Sequence, residues 1–221
     1  MHKKITAIIF AFLAAVFYAT STPFSKLLLA NVPATYMAAF LYIGAGLGVG
    51  IMYVFNRRKE SGSEPLTKND LPYVLGMIAL DILAPIFLMI GISIGSASNA
   101  SLLGNFEIVA TSLVALLIFK ETVSKKLWLA IALITAASII LSFNGSGSLE
   151  FSYGSLFVLL ATACWGFENN CTRSISGKST YEIVIVKGLC SGAGSFVIAM
   201  IIGEKLPGIR FIFLALLLGY V

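Results

Sequence analysis

Long apolar runs, joined by short polar connections, dominate the pattern along the chain. The runs are continuous and do not alternate every second residue. Most approach the 20 or so apolar residues with which a helix crosses a bilayer core of about 30 Å. The pattern predicts eight spans, which are Ile5–Phe24, Ala34–Phe55, Leu71–Gly95, Ala97–Phe119, Leu127–Phe143, Phe151–Cys171, Tyr181–Gly203 and Gly208–Val221. The predicted fold class is therefore an all-α membrane protein, a polytopic helix bundle.

The first apolar run also has features of a signal peptide. Lys3 and Lys4 precede it, and Ala19, Thr20 and Ser21 have the small side chains of a cleavage site. The same segment matches an ordinary helix of the internal repeat described below, and this match favours a span that is retained.

Lysine and arginine residues are distributed unequally between the two sides that these spans define. Eleven lie on the side of the N-terminus, in the N-terminal segment and in the loops at Arg57, Lys125 and Lys178. The loops on the other side contribute Lys205 and Arg210, and Lys26 lies at the outer end of the first span. Because basic loops stay in the cytoplasm, the N-terminus is predicted to be cytoplasmic, and every odd-numbered span to run outward.

Composition supports the membrane assignment and narrows the chemistry. Of the 221 residues, 58% are hydrophobic and 11% are charged, whereas soluble domains carry about 25% charged residues. The net charge of +5 follows from the loop asymmetry, so no nucleic-acid partner is expected. The single histidine is His2, and all three cysteines lie in apolar runs, which argues against a zinc site. The sequence contains no Walker motif, and we expect neither a metal nor another cofactor.

A shift of 147 residues aligns the beginning of the chain with its second part without gaps. The aligned pairs include Phe10 with Phe157, Leu13 with Leu160, Ala14 with Ala161, and Lys26 with Arg173. Five spans precede the second copy, so it must cross the membrane in the opposite sense. The predicted organisation is a five-helix repeat at 1–143, a Gly/Ser linker at 144–150 and the start of an inverted repeat at 151–221. Inverted repeats are typical of secondary transporters that bind substrate near the bilayer midplane.

Several short motifs resemble the EamA-like branch of the drug/metabolite transporter superfamily. They are Tyr18–Phe24 before Lys26, Ala97–Ser101 with Glu107 in the fourth span, Phe119-Lys120-Glu121 at its end, and Trp165-Gly166 with Thr172-Arg173 in the sixth. The resemblance covers the whole chain and implies two inverted five-helix repeats, ten helices in all. We therefore expect the second repeat to be incomplete in this chain. The resemblance also implies export of a small metabolite across the cell membrane.

Polar side chains within the apolar spans are the candidates for a binding site, because burying a charge at the bilayer centre costs roughly 2.5–3.5 kcal/mol. The predicted substrate-binding set is Asp81, Asn105, Glu107, Trp165, Glu168, Asn169 and Lys187. Asp81 and Glu107 fall near mid-depth, where they would bind substrate or a proton, or bond a neighbouring helix as protonated acids. Lys187 either pairs with Asp81 or Glu168, or extends along the helix to the cytoplasmic surface.

Two further features suggest how the helices move. The repeat partners Lys26 and Arg173 fall at opposite faces of the membrane, as matched gate charges or as interfacial anchors. Gly44, Gly46 and Gly188 belong to GxxxG patterns, which predict close helix packing.

The predicted function is a secondary transporter, not an enzyme, that exports a small organic metabolite by alternating access. Two alternatives stay open. One is a non-transporting interaction or regulatory protein, or a truncated relic, and the other is a membrane-embedded lipid-modifying enzyme. The expected partners are the substrate and the lipid bilayer, and a homodimer is left open.

Overall fold

The computed structural model describes residues 2–56, 64–120, 122, 124–142 and 153–220. Its helices are α1 (His2–Leu28), α2 (Ala34–Asn56), α3 (Leu71–Ile94), α4 (Ala97–Gly104), α5 (Phe106–Leu117), α6 (Lys125–Ser142), α7 (Tyr153–Ser174), α8 (Thr180–Ile201) and α9 (Ile209–Tyr220), with a 3₁₀ turn at Lys68–Asp70. The described residues contain no strand, which confirms the all-α fold class. The linker predicted at 144–150 lies outside them.

Four helical stretches are long and apolar enough to cross a membrane. They are Ala34–Phe55, Lys68–Ile94, Ala97–Leu117 and Thr180–Ile201, while α9 is a shorter apolar helix. These stretches correspond to the second, third, fourth and seventh predicted spans, and they confirm a membrane protein. The remaining predicted spans coincide with helices, and their crossing of the bilayer stays a prediction.

The fourth predicted span is not one helix but two, interrupted at Asn105. The backbone N–H of Asn105 bonds to the carbonyl of Leu102 at 3.2 Å, a tighter turn than an α-helix makes. The side-chain amide of Asn105 also donates to the Leu102 carbonyl, at 3.1 Å. Asparagine amides compete in this way with the backbone hydrogen bonds of a helix, and this competition explains the break.

The core is formed where α2 and α3 pack against α7, α8 and α9. Buried residues of α2 and α3, among them Met37 and Ile92, pack with Val158 of α7 and Ala199 of α8. The helices come close because glycines face each other. A Cβ added to Gly188 would lie 2.5 Å from the Cα of Gly46. The GxxxG prediction is thereby confirmed for this helix pair, and the close contact brings the polar residues of α8 beside those of α2 and α3.

Candidate functional site

Lys187 joins two acidic side chains in the interior of the bundle. Its Nζ lies 3.1 Å from Oδ2 of Asp81 on α3 and 2.9 Å from Oε1 of Glu168 on α7. Asp81 and Glu168 are 0% and 1% exposed, so both carboxylates are shielded from solvent. A charge at this depth needs a partner. Two positions were predicted for Lys187, an ion pair or extension to the membrane surface. The structure shows the ion pair.

Hydroxyl and indole groups extend this ion cluster. The Tyr42 hydroxyl donates to Oδ1 of Asp81 at 2.9 Å and accepts from Nε1 of Trp165 at 3.3 Å. The hydroxyl of Thr172, one helical turn after Glu168, donates to Oε1 of Glu168. Tyr42 and Thr172 were not among the predicted substrate-binding residues, although Thr172 belongs to one of the family motifs. Neutral hydroxyl side chains are common in membrane helices, so neither residue had a burial cost that required an explanation.

A second polar cluster forms between α5 and α7. The Asn169 amide donates to Oε1 of Glu107 at 2.8 Å and to the Thr111 hydroxyl at 3.1 Å. The α7 backbone approaches closely here, because Gly166 packs directly on Ala110 and Thr111. Glu168 and Asn169 are adjacent in sequence, so the two clusters are neighbours along one helix.

Both clusters meet at a cavity of about 510 Å³. Its lining comprises Ala14, Phe17, Ser21, Thr22, Ser25, Leu41, Tyr42, Ala45, Pro85, Leu88, Met89, Glu107, Trp165, Glu168, Asn169, Lys187, Leu218 and Gly219. Apolar side chains contribute most of the lining surface, and polar groups converge from α1, α2, α5, α7 and α8. A cavity of this size and composition is typical of a small-molecule site.

The structure unites six of the seven predicted substrate-binding residues. Five line the cavity, and Asp81 lies directly behind Lys187. Asn105 is exposed and bonds the carbonyls of its own helix, so it does not join them. The reason is geometric: residues two apart on a helix do not share a face, and Glu107 is the one that faces the cavity.

The two predicted gate residues lie outside the cavity lining. Lys26 donates to the carbonyl oxygens of Ile92, Ser93 and Gly95, at 2.6, 3.0 and 2.8 Å, where α3 ends. This arrangement satisfies carbonyls that the helix itself leaves unbonded. Arg173 is exposed in the last turn of α7. A gating role for either residue stays a prediction.

No group of three or more His, Cys, Asp or Glu side chains in the described part of the chain is arranged to hold a metal ion. The two carboxylates of the ion cluster are separated by the Lys187 ammonium. The arrangement can instead hold a proton, or a ligand with charged and hydrogen-bonding groups.

Apolar helices that enclose ion-paired groups beside a cavity are common in membrane transporters. The chain belongs to the EamA-like transporter family, whose sequence model matches residues 5–143.

Two individual proteins are similar to this chain, one in sequence and one in fold. The chain is 26% identical over 202 residues to an uncharacterized transporter of Methanothermobacter thermautotrophicus, a match that covers 85% of this chain and 58% of that protein. The chain thus spans about three fifths of the length of this relative. A protein of known crystal structure shares the fold, with a TM-score of 0.69 at 14% identity over 96% of this chain and 73% of the other.

Proposed function

We propose that the chain acts as a secondary transporter of a small organic metabolite, by alternating access and without enzymatic chemistry. The observation that carries this proposal is the ion cluster of Asp81, Lys187 and Glu168 at the wall of a 510 Å³ cavity. Lys187 would be the strongest nucleophile there, but two carboxylates hold it as an ammonium, which favours binding over covalent catalysis.

The packing of the helices supports an inverted repeat. If α7 and α8 repeat α1 and α2, and α9 repeats α3, then the α2–α8 contact maps onto itself. The contact of α3 with α7 maps onto the contact of α1 with α9, and both contacts are present. The Lys187 cluster lies beside this pseudo-twofold α2–α8 contact, which is the expected place for the substrate of a repeat transporter.

Hydrogen bonds close the bundle at both ends in equivalent ways. At one end, Glu182 accepts from the backbone N–H of Leu66 at 2.8 Å, and Lys178 pairs with Glu64 at 3.0 Å. The hydrogen bond that Lys178 donates to Glu64 raises the pKa of Lys178, so its ammonium stays charged at neutral pH. At the other end, Glu204 accepts from the N–H groups of Thr35 and Tyr36, at 3.3 and 3.1 Å.

These two sets of bonds, here named the Glu182 latch and the Glu204 latch, join connections that the repeat makes equivalent. The first joins the α2–α3 connection to the α7–α8 connection and the first turn of α8, and the second joins the α8–α9 connection to the first turn of α2. Alternating access would open one latch while the other stays closed. By the charge distribution, the Glu182 latch is cytoplasmic and the Glu204 latch external, and the family resemblance favours export.

Proteoliposome counterflow with a panel of small organic metabolites tests the proposal. We expect at least one metabolite to exchange, and Glu168→Gln to lower its exchange rate at least tenfold because the ion cluster is disrupted. Glu60→Gln, the same change in the connection between α2 and α3, should leave exchange unchanged. Exchange that is absent for the whole panel would favour the non-transporting alternative, and exchange that is unaffected by Glu168→Gln would contradict the role of the ion cluster. Inverted vesicles then give the direction.

A further inference from the structure

Resting on the proposed function, we propose that the cavity binds an organic amine in its ammonium form, with an apolar or aromatic body. Four observations support this class: the formal charge of the lining, the use of its hydrogen-bond donors, an unpartnered buried oxygen, and the shape of the apolar wall.

The charge of the site is negative. Glu107, Glu168 and Lys187 line the cavity, and Asp81 lies behind Lys187. Three carboxylates therefore face one ammonium among the described residues of the site. An anionic substrate would have to take Lys187 away from Asp81 and Glu168, which would leave two buried carboxylates unpaired at a large cost. A cation has no such cost.

The N–H donors that α7 and α8 present to the wall are largely used within the protein, as is the Tyr42 hydroxyl of α2, while α1 adds the hydroxyls of Ser21, Thr22 and Ser25. The Trp165 indole donates to Tyr42, the Tyr42 hydroxyl donates to Asp81, and the two N–H groups of Asn169 go to Glu107 and Thr111. Lys187 directs two of its three N–H groups to the carboxylates. A carboxylate ligand finds one remaining ammonium N–H, on Lys187, and neutral hydroxyl donors that are weaker partners for an anion.

Hydrogen-bond acceptors, by contrast, remain available. Oε2 of Glu168 is buried and has no hydrogen-bond partner, although Glu168 lines the cavity. Pro85 also lines the cavity and has no N–H, so the carbonyl of Asp81 lacks its usual helical donor. An ammonium group supplies three donors, and a buried carboxylate oxygen without a donor is costly. The site is therefore complementary to a donor-rich cation.

The rest of the cavity accommodates an apolar body. Trp165 lies one helical turn from Glu168 on α7, and Phe17, Leu88 and Met89 complete a largely apolar wall. Aromatic faces also attract cations. The binding mode that we propose places the ammonium at Glu168 and Glu107 and the apolar body against Trp165.

Three probes share a phenylethyl group and differ only in the head group. They are phenethylamine, 2-phenylethanol and 3-phenylpropionate, which carry a cationic, a neutral and an anionic head group. Binding is measured with the radiolabelled compounds on the full chain in nanodiscs at neutral pH. We expect the amine to bind about tenfold or more tighter than the alcohol and the carboxylate. Equal binding of the alcohol, tighter binding of the carboxylate, or no binding of the amine would overturn the inference.

Substitutions of the two cavity carboxylates test where the amine binds, and the second serves if the first variant does not fold. Glu168→Gln should weaken amine binding about ten- to hundredfold, and Glu60→Gln should leave it unchanged. If Glu168→Gln does not fold, Glu107→Gln, at a less buried carboxylate, should weaken binding in the same direction. Unchanged amine affinity in a folded variant of either carboxylate would contradict the binding mode.

Counterflow of the same probes separates this inference from the proposed function. An amine that binds but is not exchanged would support the ligand class and contradict transport. A carboxylate or neutral metabolite that is exchanged, with no amine binding, would support transport and contradict the ligand class.

Discussion

Lys187 on α8 and Asp81 on α3 form an ion pair, with 3.1 Å between Nζ and Oδ2, where Asp81 is fully buried. The pair connects a residue of the first predicted repeat with one of the second. Glu168 is the second carboxylate on the same ammonium, at 2.9 Å. The ion cluster of Asp81, Lys187 and Glu168 therefore joins α3, α8 and α7 at the cavity wall, and we expect both the stability and the function of the bundle to depend on it.

Replacing Lys187 by Met should destabilise the protein by roughly 3–5 kcal/mol, because two buried carboxylates lose their partner. The triple variant Asp81→Asn, Lys187→Met, Glu168→Gln should recover part of the loss, since it also removes both charges. Thermal unfolding of the detergent-solubilised variants measures both effects. A Lys187→Met protein as stable as the wild type would show that the carboxylates are protonated or hydrated without Lys187.

The glycine contact between α2 and α8 gives a matched pair of substitutions. Gly188→Ala places a Cβ 2.5 Å from the Gly46 Cα and should destabilise the bundle by about 1–3 kcal/mol through overpacking. Gly50→Ala on α2 meets nothing within 4 Å and should be neutral, or stabilising by up to about 1 kcal/mol. The measurement is again thermal unfolding. Equal effects of the two changes would mean that backbone contact does not hold α2 against α8.

Lys26 is expected to contribute to stability at the C-terminal end of α3. Lys26→Met removes the donor for three carbonyl groups and should cost roughly 1–3 kcal/mol. Lys26→Arg should retain most of the stability, because it keeps a donor group at a similar reach. Lys205→Met, at an exposed lysine of the α8–α9 connection, is the control. Normal stability but altered transport in Lys26→Met would favour the gate role instead.

The two latches should respond separately to substitution. Glu182→Gln weakens the bond to the Leu66 N–H, and Glu204→Gln weakens the bonds to Thr35 and Tyr36. We expect Glu182→Gln to increase cytoplasmic accessibility of a cysteine at Ala45 in the cavity, and Glu204→Gln to increase its external accessibility. Membrane-impermeant maleimide, applied from either side of oriented vesicles, gives the two rates. Parallel changes in both rates would contradict alternating access.

The same labelling method tests the orientation of the chain. In a background without Cys164, Cys171 and Cys190, a single cysteine at Lys178 should react only from the cytoplasmic side. A single cysteine at Lys205 should react only from outside. Labelling of both positions from one side would invalidate the topology derived from the loop charges.

The sequence was most informative about charged side chains, because burying an unpaired charge has a high free-energy cost. Asp81, Glu168 and Lys187 are costly to bury without a partner in an apolar chain, and their pairing was one of the two options predicted for Lys187. Asn105 has no such constraint, because an asparagine amide can satisfy itself on its own helix, and it does so. Tyr42 and Thr172 were missed because their role depends on which helices meet. That information lies in three-dimensional packing, which pattern alone does not give.

The contact of Lys26 with the end of α3 also has a consequence for biosynthesis. Lys26 lies 66 residues before Ile92, the first of its acceptors in the chain. At a synthesis rate of about 5–20 residues per second, roughly 3–13 seconds separate the emergence of the two residues from the ribosome. During that interval α1 carries an ammonium that has no α3 to bind. The nascent first helix must therefore stay near water, or beside the insertion machinery, until α3 arrives.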